Sequence, residues 1–114
     1  PQNRKFVEAF KAKYGRLPSE YAVGGYDAAY LLDAAVRAQG GKVGDSKSLA
    51  AAVKAAGATF PSVRGTFRFN TNNMPVQNLY AYQVVKEGEG VGLKQLATVL
   101  TDHQDAYVAD CPLK

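Results

Sequence analysis

The longest regular hydrophobic pattern in the chain runs from Pro18 to Gln39, PSEYAVGGYDAAYLLDAAVRAQ, and its period is helical. Gly24, Ala28, Leu31, Ala35 and Ala38 form one stripe at spacings of four and three, and Tyr21, Gly25, Ala28, Leu32 and Ala35 form its neighbour. Pro18 suits a first turn, Ser19 can cap free amides, and Gly40-Gly41 supplies the left-handed exit that a helix C-terminus favours. The polar remainder is thin: Asp33 and Arg37 pair at i,i+4, and Glu20 and Asp27 lie nearer the start. The pattern predicts a helix buried on more than one side, with a face of small residues that lets another backbone approach closely.

Shorter periodic stretches flank it. Asn3 to Tyr14 is an amphipathic helix with Phe6, Val7, Phe10 and Tyr14 on one side and Arg4, Glu8 and Lys11 towards water, ended by Gly15. The tight GRLP link makes it a spatial neighbour of the central helix. A third helix runs from Ser46 to Ala56, capped by Asp45 or Ser46, with Leu49, Ala52, Val53 and Ala56 as its apolar face and Gly57 as its stop. From Val63 the period changes to two: Val63, Gly65, Phe67 and Phe69 alternate with Arg64, Thr66 and Arg68, a half-buried strand with a basic outer face.

NTNNMP, Asn70 to Pro75, is turn chemistry, and Asn78 to Lys86 is a second strand with apolar groups on both faces. After an exposed turn at KEGEGVG, Leu93 to Leu100 is a weaker strand or extended segment, and Thr101 to Lys114 is a polar tail. This is an α/β order of three helices followed by strands. The helices have no preceding sheet to cover and the strands have few partners, so an N-terminal part is expected upstream.

Composition adds bounds. The 114 residues suit at most one ordinary domain, and 46% hydrophobic with 21% charged residues is a globular balance. No run approaches the roughly 20 apolar residues of a membrane span. The net charge of +4 is dispersed along the chain, and the Lys and Arg of the first helix lie opposite its apolar face, so no nucleic-acid partner is expected. The single Cys111 is either free or bonded to a cysteine this chain lacks.

Candidate chemistry is sparse. His103, the one histidine, lies in TDHQD, where Asp102 and Asp105 offer a loose set of oxygens rather than ligands fixed on separate elements; no metal and no cofactor are expected. There is no GxSxG, P-loop or GxGxxG, and Gly88, Gly90 and Gly92 alternate with no helix following to receive a phosphate. No catalytic residues are assigned, and an enzyme is not expected. What stands out is the start of the central helix. Gly24-Gly25 costs up to about 1 kcal/mol per residue relative to alanine, which packing or a nearby ligand has to offset, and Tyr21 and Tyr26 place amphipathic rings at the same end. Two readings fit: close packing with the tyrosine hydroxyls at solvent, or a helix end that lines a binding cleft.

The run FVEAFKAKYGRLPSEYAVGGYDAAYLLDAAVRAQG, then DSKSLAAAVKAAG and RGTFRFNTNN, resembles the C-terminal third of type I periplasmic binding proteins. It is most similar to the Leu/Ile/Val-type receptors of ABC importers and their relatives that bind small aromatic carboxylates. The resemblance spans nearly the whole chain and is carried by FxxxFKxKYGxxP, the GYDAAYLL helix centre, and the G-x-F-x-F strand leading to LYAYQVV. It implies a C-terminal fragment of a protein with two Rossmann-like lobes that close on a ligand. Residues 1–77 would supply helices and a hairpin of the N-terminal lobe, and residues 78–114 the last crossover strand and a tail.

The resemblance also implies that Tyr21, at the family's aromatic position five residues before the tyrosine matching Tyr26, contacts the ligand, with Ala22 and Gly25 approaching the same cleft. The family's groups for the ligand's carboxylate and amine lie upstream. The implied function is capture of a branched-chain amino acid or aromatic acid in the periplasm for the membrane subunits of an ABC importer. The alternative is the ligand-binding sensory domain of a signalling receptor with the same fold. The Tyr21 hydroxyl, able to bond a phenol or carboxylate, leans towards an aromatic acid. By itself the fragment is expected to self-associate through free strand edges.

Overall fold

The computed structural model describes residues 2–65 and 67–113; Thr66, expected on the outer face of a strand, lies outside them. The chain divides into two compact units, residues 1–69 and 70–114. In the first, α1 (Gln2–Tyr14), α2 (Glu20–Ala38) and α3 (Ser46–Ala56) precede the short strand β1 (Arg68–Phe69). In the second, β2 (Pro75–Glu87) and β3 (Gly90–His103) pair antiparallel, and a 3-10 turn spans Val108–Asp110.

The helices begin and end where local chemistry dictates. The Ser19 hydroxyl accepts from the Ala22 N–H (3.4 Å), and Gly40 and Gly41, at φ 61° and 80°, carry the chain out of α2 in the left-handed region. For α3 the cap is Asp45, whose carboxylate accepts from the N–H groups of Lys47 (3.3 Å) and Ser48 (2.9 Å). These bonds, chiefly those from Ser48, hold the Asp45 carboxyl below its ordinary range. Gly57 follows α3 in ordinary helical geometry, so its value is space: a Cβ there would lie 2.7 Å from the Phe69 ring.

The core of the first unit is small. Phe6, Ala35, Ala56, Phe60 and Val63 are buried. Phe6 packs on Phe10 (5.8 Å between centroids) and Tyr26 (4.6 Å), which ties α1 to α2, while Phe60, Phe67 and Phe69 stack edge-on in steps of 5.4 Å. Burying a phenylalanine such as Phe6 contributes about 1.5–3 kcal/mol.

Four expectations are corrected. First, among the described residues α2 is covered on one side only: Ala35 is buried and Leu31 half-buried, but Tyr21, Gly25, Ala28 and Leu32 are exposed. Second, Asp27, assigned to the polar side, is buried at 8% exposure. Third, the strand expected from Val63 shrinks to Arg68–Phe69, because the Val63 N–H donates to Asp27 instead of a ladder and Gly65 has φ 99°. Val63 is buried and Arg64 and Arg68 are exposed as expected, but Gly65, expected inside, is exposed.

The fourth correction concerns the second unit, where the strand expected over 93–100 is a strand but longer, Gly90–His103, taking in the first residues of the polar tail. β3 pairs with β2 from Glu87↔Gly90 to Gln77↔His103, closed by the two-residue loop Gly88-Glu89 with Gly88 at φ 60°. Three register shifts interrupt the ladder between Gln77 and Tyr82, and at one of them the Asn78 side chain accepts from the N–H of Asp102, itself at φ 49°. The tail is tied back by Asn70 Nδ2 donating to Gln104 Oε1 and Asn72 Nδ2 donating to Asp105 Oδ2, both at 2.8 Å.

Candidate functional site

The start of α2 carries the residues singled out by sequence. Tyr21 sits in the first turn and is 84% exposed, so its ring has little packing among the described residues. Ala22 is half-buried and Gly25 is exposed. Tyr26 behaves differently: it packs on Phe6, stacks on Tyr30 at 4.7 Å, and its hydroxyl donates to that of Tyr30 at 3.2 Å. This hydrogen bond, then partial burial, pushes the Tyr26 phenol above its ordinary range.

Beside these residues is an arrangement that sequence reasoning missed. Tyr21, Gly24 and Asp27 follow one another at i,i+3, a single row along α2 with about 4.5 Å of rise per step. Asp27 anchors the 62–64 loop: its carboxylate accepts from the Ser62 hydroxyl (2.6 Å) and the Val63 N–H (3.0 Å). The Ser62 Oγ in turn accepts from the Arg64 N–H at 3.0 Å. The loop thereby carries the Arg64 guanidinium to Gly24, where a Cβ would lie 3.9 Å from Nη2.

Arg64 is exposed, and no ion pair engages it among the described residues. The one sequence signal for Asp27 was a carboxylate among small and apolar residues on an otherwise polar-poor helix. For Arg64 there was none, since a basic residue on a strand's outer face reads as ordinary surface.

Other places offer less. A shallow dish between the end of α2 and the start of α3 is lined by Ala38, Gln39, Lys42, Gly44, Asp45 and Ser48, but the Asp45 carboxylate is already engaged in capping. His103 is exposed at the end of β3, Cys111 is unbonded, and no group of three metal-ligating side chains occurs among the described residues.

A family model described as periplasmic binding protein matches residues 1–89. Among solved structures, the chain is similar to the solute-binding protein of an ABC transporter from R. palustris, determined in complex with benzoate: 37% identity, TM-score 0.64, 89% of this chain covered. The chain spans 28% of the length of that structure. No curated protein matched the chain.

Proposed function

The chain belongs to the periplasmic binding protein family, and we propose that the protein it is part of is the solute-binding component of an ABC importer that captures a small aromatic carboxylate. The observation that carries the ligand class is the 37% identity with a protein that binds benzoate. The exposed Tyr21 ring supports it, because an aromatic surface with few contacts of its own is what a flat apolar ligand stacks on. Capture occurs by closure of two lobes around the ligand without covalent chemistry, in the periplasm, and the loaded protein delivers to the importer's membrane subunits. Residues 1–77 supply helices and a hairpin of the N-terminal lobe, and residues 78–114 the last crossover strand and the tail. Tyr21 lines the cleft, with Ala22 and Gly25 at its edge.

Calorimetric titration of the full-length protein with benzoate and with leucine tests the ligand class. Benzoate should bind and leucine should not; the reverse outcome refutes the aromatic reading. In the same protein Tyr21→Ala removes a stacking ring, worth about 1–3 kcal/mol, and should weaken benzoate roughly tenfold to a hundredfold. The melting temperature should hardly move, since so exposed a ring contributes little to packing. Unchanged affinity with a much lower melting temperature would make Tyr21 a packing residue instead.

A further inference from the structure

We draw no further inference here: the strongest candidate, the apolar patch that Tyr82, Val84, Val91 and Leu93 expose on one face of the β2–β3 hairpin, carries nothing because nothing in the structure shows what covers it.

Discussion

Replacing Asp27 by alanine probes the bond that holds the 62–64 loop to α2. The carboxylate accepts from the Ser62 hydroxyl at 2.6 Å and from the Val63 N–H at 3.0 Å, and both Asp27 and Val63 are buried. A hydrogen bond to a charged group contributes about 1.5–3 kcal/mol, and a buried N–H left without a partner costs about 1–3 kcal/mol. These amounts overlap, because the second is part of what is lost when the first is broken, so Asp27→Ala should cost about 3–5 kcal/mol. Asp27→Asn keeps an acceptor oxygen for one donor and should cost about half as much. Urea unfolding of the full-length variants gives the magnitude from the shift in midpoint at constant slope. If Asp27→Ala unfolds within about 0.5 kcal/mol of wild type, the size of an ordinary surface substitution, the anchor is not holding the loop and the reasoning fails.

Gly57→Ala should destabilise by about 1–3 kcal/mol, because the new methyl meets the Phe69 ring at 2.7 Å while the backbone there is already helical; a stability equal to wild type in the same urea assay would show that the ring moves aside freely. Asp45 has a folded-state carboxyl held below its ordinary range, so its contribution to α3 is fully present above the unfolded value near about pH 4 and is lost as pH falls through the lower folded value. Amide exchange at Lys47 and Ser48 should rise in that acid window relative to residues elsewhere, and Asp45→Asn should abolish the pH dependence; an unchanged profile in the variant would assign it to another group.

The helices were legible because each carries its own punctuation. Ser19 and Asp45 cap, and Gly15 and Gly40 leave at positive φ, so the ends of all three fall within about two residues of the pattern. β3 was weak on the page because the ladder is out of phase with itself. Its pairing moves from Gln95 opposite Tyr82 to Ala97 opposite Ala81, and from Thr98 opposite Tyr80 to Leu100 opposite Leu79, so Leu96 and Val99 are extra residues and no strict alternation survives. β1 misled in the opposite sense, since an alternating sequence from Val63 is also what a loop produces when Asp27 buries one residue and leaves the next in water. No local period announces a carboxylate that bonds a loop 35 residues away. For the site, sequence placed Tyr21 in the first turn but had no means of bringing Arg64 to Gly24.

Gly25 gives the proposed binding surface a test independent of any charged group. A glycine inside a helix costs about 0.5–1 kcal/mol relative to alanine, which something must offset for the residue to be of use. At Gly57 the offset is visible, since the Phe69 ring occupies the space of a Cβ; at Gly25 no neighbouring side chain comes within 4 Å of that position among the described residues. The backbone offers no reason either, because Gly25 is absent from the positive-φ positions. Gly25→Ala should therefore stabilise α2 by about 0.5–1 kcal/mol in the full-length protein, read as a small rise in urea midpoint, if nothing else packs there. If instead Gly25 adjoins the cleft, one turn beyond Tyr21, the added methyl should weaken benzoate binding while stability rises. A variant that is more stable and binds as wild type would remove Gly25 from the site, and one that is less stable would mean that another part of the protein packs against this face.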